Sequence, residues 1–215
     1  MSILDTPWSV GAAAAAMKNA GATTVIRYIN FRNSTKLPEK RIEAAERAAI
    51  KAAGLTLALV FEQRNGLPQD FTTATGTAAA VRAFAWARDT VGRPSGRPIY
   101  FAVDNDVRDE AFFTAIETYF QAVNAKLQNL AAGAIATPVG VYGCGEVCSR
   151  LKAKNLATYF WLAGATDWNG TKPFLGTNAW HLFQADHESK VAGIDVDANQ
   201  PNPALPDFGA FTPTL

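Results

Sequence analysis

Short apolar, β-branched runs alternate along this chain with alanine-rich stretches of helical period. The runs predict eight strands: Ser2–Thr6, Thr23–Ile29, Leu55–Phe61, Ile99–Val103, Val139–Tyr142, Tyr159–Ala163, Trp180–Gln184 and Val191–Val196. Several of them, such as Leu57 to Phe61, are continuously apolar, as strands covered on both faces are. Helices are expected from Pro7 to about Ala20, from Pro38 to Gly54, from Asp70 or Thr72 to Val91, from Asp109 to about Leu130, and over Glu146–Lys154. Thr166–Asn178 reads as a loop rich in Gly, Asn and Trp, and a Pro-rich tail occupies about residues 199–215.

Strands separated by helices imply a parallel sheet with both faces covered. Eight of them favour closure over an open sheet. The expected fold is therefore α/β, a single (β/α)8 TIM-like barrel over residues 1–215, with a missing or irregular helix between the late strands. A chain of 215 residues suits one such domain.

Charge and composition narrow the function. Twenty Lys and Arg against 19 Asp and Glu leave a net charge of +1, with no basic block suited to nucleic acid or an anionic membrane. Neither is expected as a partner. The run Ala12 to Ala16 is too short to span a bilayer, and the N-terminus lacks a Sec-type signal pattern. The location expected is the cytoplasm, or outside by a specialised export route. Cys144 and Cys148 make no disulfide framework and are read as reduced thiols. Two histidines, His181 and His187, give no zinc-site spacing, and no cofactor is expected.

The carboxylates carry the chemistry. Asp5, Glu62, Asp104, Asp106, Asp195 and Asp197 all fall at or near the ends of predicted strands. In a (β/α) barrel those ends form the catalytic face, so residues distant in sequence would share one pocket. In Tyr100-Phe101-Ala102-Val103-Asp104-Asn105-Asp106, an extended backbone would turn both aspartates to one side, with Cα atoms about 6–7 Å apart. Two such carboxylates repel, and one tends to hold its proton. One acid and one anion are what glycoside cleavage requires.

The catalytic candidates are Asp104, Asp106, Glu62 and Asp5. Asp109 reads as a helix cap. Asp195 is favoured over Asp197, which suits a role in holding the Asn199–Pro203 turn. Glu62 has an alternative as the buried ion partner of Arg27. Tyr28, Tyr142, Trp161 and Gln184 end other strands and suit sugar rings and hydroxyls. With Asp195 and Arg27 they form the substrate-binding set. Barrel packing is the alternative for each aromatic. Trp168 and Trp180 flank the late loop and would form a platform.

These segments resemble the glycoside-hydrolase-like domain typified by a secreted mycobacterial protein, a distant relative of the family-25 lysozymes. The resemblance rests on Leu4-Asp5, Val25-Ile26-Arg27-Tyr28, Ala53-Gly54-Leu55 through Phe61-Glu62, Pro98-Ile99-Tyr100-Phe101-Ala102-Val103-Asp104-Asn105-Asp106, Val139-Gly140-Val141-Tyr142-Gly143, Tyr159-Phe160-Trp161-Leu162-Ala163, and Leu182-Phe183-Gln184 with Gly193-Ile194-Asp195-Val196-Asp197. It implies a barrel with an acidic sugar-binding cleft. In family-25 lysozymes the fourth strand ends in Asp-x-Glu with the Glu as general acid. Asp106 takes that place here, one methylene shorter.

Three functions follow as expectations. The first is a monomeric glycosidase acting on a peptidoglycan-like or related polysaccharide, with Asp106 or Glu62 as acid and Asp104 as stabiliser or base. The second is a non-catalytic glycan-binding module on the same barrel. The third is a Mg²⁺ or Ca²⁺ site built from the carboxylates.

Overall fold

A computed structural model describes residues 2–64 and 66–214, with the side chains of residues 186–188 outside the description. Eight strands close a barrel in sequential order. They are β1 (Ser2–Asp5), β2 (Ala22–Tyr28), β3 (Thr56–Phe61), β4 (Ile99–Ala102), β5 (Val139–Gly143), β6 (Tyr159–Leu162), β7 (Leu182–Val191) and β8 (Ile194–Pro201). The helices are α1 (Ala14–Asn19), α2 (Ala44–Ala52), α3 (Thr73–Trp86), α4 (Glu110–Ala131), α5 (Gly145–Ala153) and α6 (Thr171–Leu175).

Strands β1 to β7 pair in parallel. The eighth departs from the expected fold: β8 runs antiparallel to both β7 and β1. The predicted strand Val191–Val196 straddles the hairpin turn, where Ala192 and Gly193 both adopt positive φ (50° and 83°). Two such residues in succession reverse the chain in the tight geometry of a hairpin. No helix separates these last two strands, and the loop predicted over Thr166–Asn178 contains the short α6 instead. β8 also extends to Pro201, so residues 199–201 belong to the barrel and not to a tail.

Inward positions follow the two-residue period of a strand. Ile3, Ile26, Ala58, Val60, Tyr100, Trp161 and Leu182 fill the barrel. Gly140 on β5 is required by this packing, because a Cβ there would lie 2.6 Å from the Tyr100 ring. The alternate, outward residues pack under the helices; Leu57, Leu59, Phe101 and Val141 meet Ile50, Ala83, Phe120 and Val147 in one continuous layer. The C-terminal segment closes the end of the barrel opposite the mouth. Phe211 exchanges backbone hydrogen bonds with Leu57 (2.8 and 2.9 Å), and the Tyr100 hydroxyl donates to the Phe208 carbonyl (2.8 Å).

Two caps form as expected. Thr72 accepts from the Thr75 N–H (3.1 Å) to start α3, and Asp109 accepts from Phe112 (3.0 Å) to start α4. The second helix begins at Ala44, six residues after Pro38. The intervening chain is instead a loop over the barrel mouth. Asn33 receives the Arg41 N–H (2.7 Å) and donates to the Pro38 carbonyl (2.6 Å), bonds that compete with helix formation. Among the described residues no helix is long and apolar enough to cross a membrane.

Candidate active site

The ends of the parallel strands surround a pocket of about 370 Å³. Asp5, Glu62, Asp104 and Asp197 line it from β1, β3, β4 and β8. Each continues the inward parity of its strand, which is why apolar runs end in acids here. Tyr28, Tyr142, Trp161 and Trp168 supply the aromatic walls, and Gln184 and Lys40 complete the polar set.

Asp5 lies at the floor, 3% exposed. Its register partner across the antiparallel β1–β8 pair is Asp197, so two acids stand directly opposite. Amides separate them. Gln184 Nε2 donates to Asp197 (3.0 Å) and to both Asp5 oxygens (3.3 and 3.4 Å), while Asn199 donates to Asp5 (2.7 Å). Gln184 is itself oriented by the Tyr142 hydroxyl (2.8 Å), and Asn199 by the Trp161 indole N–H (2.7 Å). Burial drives the Asp5 pKa up to about 7. The bond from Asn199 opposes this, the charge of Asp197 adds to it, and Gln184 and Glu62 act more weakly in opposite directions.

Glu62 is half-buried in the wall, where Lys40 reaches it at 3.0 Å. Burial raises its pKa; the charge and hydrogen bond of Lys40 pull it back, and Asp104 pushes it up again. The Lys40 ammonium also sits 4.5 Å from the centre of the Tyr28 ring. Asp104 stands exposed at the rim of the pocket. The protein packed beside its carboxylate raises its pKa as well, against Lys40. Tyr28 and Tyr142 are pushed well above the usual phenol range, chiefly by burial and then by the surrounding acids, so both act as neutral hydroxyls.

Three residues expected in the site stand elsewhere. Asp106 does not share the face of Asp104, because the chain turns between them: the Asn105 N–H donates to the Val103 carbonyl (3.0 Å) and the Val107 N–H to the Asn105 carbonyl (3.1 Å). Its carboxylate instead accepts from the Asn169 N–H (2.7 Å) and Arg108 (2.8 Å), fastening the loop that carries Trp168. Arg27 faces outward, since its neighbour Tyr28 faces in. It is fully buried against α2, ion-paired with Glu46 (2.7 Å) and not with Glu62. Asp195 is exposed on the β7–β8 hairpin, paired with Lys190 (2.6 Å), and lines an adjoining cleft with Trp8.

Lys40 escapes the sequence pattern because Pro38–Gly54 has the composition of a helix. Asp195 and Asp197 share one parity, so alternation alone does not choose between them. Of the two predicted platform residues, Trp168 lines the pocket, whereas Trp180 bonds the Leu175 carbonyl (3.0 Å) and packs on Phe183. Cys144 and Cys148 are buried free thiols. Among the described residues no three His, Cys, Asp or Glu side chains are placed to share a metal ion; the side chain of His187 lies outside the description.

An acidic, aromatic-walled mouth on a barrel is shared by many glycan-active proteins, so sequence comparison decides the family. The profile of the Rv2525c-like, glycoside hydrolase-like domain matches residues 15–200. The chain belongs to this family. Two relatives agree with that placement. YbfG of Bacillus subtilis is 31% identical over 192 residues, 84% of this chain but 26% of YbfG, so the chain spans about a quarter of that protein's length. Rv2525c of Mycobacterium tuberculosis is 25% identical over 204 residues, 92% of this chain and 79% of that protein. The crystal structure of Rv2525c, a Tat-secreted protein solved with L-tartrate, superposes with a TM-score of 0.78 at 24% identity, covering 97% and 98% of the two chains. A family GH25 lysozyme from Aspergillus fumigatus shares the fold more distantly, with a TM-score of 0.52, 12% identity and 93% of each chain covered. The Rv2525c-like fold is therefore a closed α/β barrel, as the strand pattern implies.

Proposed function

We propose that the barrel mouth cleaves a glycosidic bond in a cell-wall polysaccharide of the peptidoglycan type, using paired carboxylates. The observation that carries this reading is the convergence of Asp5, Glu62, Asp104 and Asp197 on one aromatic-walled pocket. The relative Rv2525c, whose name proposes peptidoglycan hydrolysis, supports the substrate class.

The partners of each acid divide the labour. Lys40 favours the ionised form of Glu62, which suits it to face the positive sugar carbon. Asp104 is exposed, has a raised pKa and lacks a direct cationic bond among the described residues, which suits it to hold the proton. In this scheme Asp104 donates that proton to the leaving oxygen as the bond from the sugar carbon breaks. Glu62 stabilises the charge that develops there. Water then adds to the carbon and returns a proton to a carboxylate. Asp5 and Asp197, tied by Gln184 and Asn199, shape the floor and hold hydroxyls of the ring. Tyr28, Tyr142, Trp161 and Trp168 offer faces for its apolar side.

The test is release of reducing ends from peptidoglycan between about pH 4 and 8, the range in which shifted carboxylates titrate. Glu62→Gln and Asp104→Asn should each lower the rate by about 10²-fold or more. Asp106→Asn, outside the pocket, should stay within about fivefold, the change expected from a loosened Trp168 loop. No release from peptidoglycan, chitin or related glycans by the wild type would end the hydrolase reading.

One observation favours a second reading, a glycan-binding module without turnover. The acid two residues beyond Asp104 is committed to the loop backbone at Asn169 and is not free to serve catalysis. Glycan binding retained by Asp104→Asn, with no products from the wild type, would select it.

A further inference from the structure

A second cavity, of about 490 Å³, opens beside the first and shares Glu62 and Ala102 with it. It lies between the ends of β3 and β4 and the start of α3. Its chemistry differs from that of the acidic mouth. Phe31, Phe61, Phe71 and Tyr119 wall it, with Ala78 and Ala79 at its base. The rings are fixed against one another: Phe31 meets Phe61 edge-on at 5.5 Å, and Phe71 meets Tyr119 at 5.3 Å. Phe31 is nonetheless 42% exposed, an aromatic on a loop that would otherwise favour burial.

The charged groups of this cavity are matched with one exception. Glu62 pairs with Lys40 (3.0 Å), and Arg64 pairs with Asp70 (3.2 Å). Arg32, next to Phe31, has no acidic partner among the described residues; its backbone N–H is held by Gln63 (3.1 Å), which fixes where the residue starts. An apolar chamber with one unmatched guanidinium at its edge suits an apolar group that ends in a carboxylate. The rings suit methyl and methylene groups, and Gln63, Gln69 and Thr75 in the same lining suit peptide N–H and C=O groups.

We infer that this side cavity holds a short acidic peptide branch carried by the sugar that occupies the mouth. The inference rests on the glycan reading above and adds a specificity to it: the protein selects peptide-bearing over bare glycan. Methyl groups of the branch would pack on Phe31 and Phe71, its carboxylate would meet Arg32, and the side-chain amide of Gln69 at the rim would pair with its peptide groups.

Calorimetric titration with two probes tests this, using the full chain. One is the disaccharide N-acetylglucosaminyl-N-acetylmuramic acid with its lactyl carboxyl capped as the methyl amide, and the other is the same disaccharide bearing L-alanyl-D-isoglutamine on that carboxyl. Wild type should bind the peptide-bearing form about tenfold or more tightly, as one charge-assisted bond with partial apolar burial allows. Arg32→Ala and Phe31→Ala should each shrink that ratio towards one while leaving the bare disaccharide's affinity unchanged. Both side chains are exposed, so unaltered melting temperatures would show that the variants fold. Equal affinities of wild type for the two probes, or a ratio that survives both substitutions, would overturn the inference alone. Failure to bind either probe would remove the glycan reading together with it.

Discussion

Replacing Arg27 by methionine tests how the wall behind the mouth is held. The guanidinium is completely buried and makes four bonds. Nε and Nη2 meet the two Glu46 oxygens (2.7 and 3.1 Å), Nη1 meets the Thr6 carbonyl (2.5 Å), and Nη2 meets the Glu39 carbonyl (2.7 Å). Thr6 follows Asp5, and Glu39 precedes Lys40, so one side chain fixes the backbone beside two pocket residues. Arg27→Met leaves the Glu46 carboxylate buried with the Val10 N–H (2.9 Å) as its one remaining partner among the described residues. Breaking one side of a buried ion pair costs about 3–5 kcal/mol. For a domain of this size that is a fall in Tm of about 6–20 °C. Circular dichroism melts measure it. Adding Glu46→Leu removes the stranded charge and should recover part of the loss. It should not recover all of it, because the buried Thr6 carbonyl and Val10 N–H lose these partners, at about 1–3 kcal/mol each. A single variant melting within about 2 °C of wild type, or a double variant matching wild type, would refute the clamp.

Two further predictions concern the floor and the rim. The Asp5 pKa lies at about 7 in the fold against an ordinary 3.8, so the unfolded chain releases this proton first as pH rises. The contribution of Asp5 to stability is therefore complete below about pH 4, falls between about pH 4 and 7, and is flat above; Glu62 and Asp104 act in the same direction. Urea unfolding across that range should show a shallower decline for Asp5→Asn, and coincident slopes would contradict the assignment. At the rim, Gly145 packs so closely on the loop bearing Trp168 that an added Cβ would lie 2.0 Å from the Gly170 carbonyl oxygen. Since backbone meets backbone there, Gly145→Ala should cost about 3 kcal/mol or more, read as a lower urea midpoint, and an unchanged midpoint would show that the loop yields freely.

Much of this arrangement is legible in the chain, for a reason that particular residues make plain. Asp5, Tyr28, Tyr142 and Trp161 sit at or near strand ends with inward parity, and Gln184 has the same parity within β7, which runs on to Val191; strand periodicity alone carries each of them to the mouth. The same rule, applied one residue back, turns Arg27 outward: it cannot share a face with Tyr28. Asp106 illustrates the opposite limit, because parity holds only while the backbone stays extended, and the chain turns at Asn105, whose N–H donates to the Val103 carbonyl (3.0 Å). The reversal of β8 escapes a local reading altogether. Val191 to Val196 is uniformly strand-like in composition, and only the paired positive φ values at Ala192 and Gly193 divide it into two. Lys40 belongs to a loop whose course depends on side-chain bonds, locally through Asn33 and across to Arg27 from the Glu39 carbonyl, which no periodic pattern encodes.

The closing hairpin has a consequence for how such a barrel can change. Its pairing with β1 covers only residues 197–199, while the β7–β8 ladder continues outward to Val191 and Ile194. The portion past Asp197 leaves the β1 ladder and forms a parapet along one side of the opening, tethered where the Thr6 hydroxyl donates to the Asp195 carbonyl (2.6 Å). Lengthening or trimming it by a rung would raise or lower that side without disturbing closure of the barrel beneath. In a doubly parallel arrangement the same adjustment would have to pass through a helical crossover. Here the height of one bank can drift separately from the floor on which the acids stand.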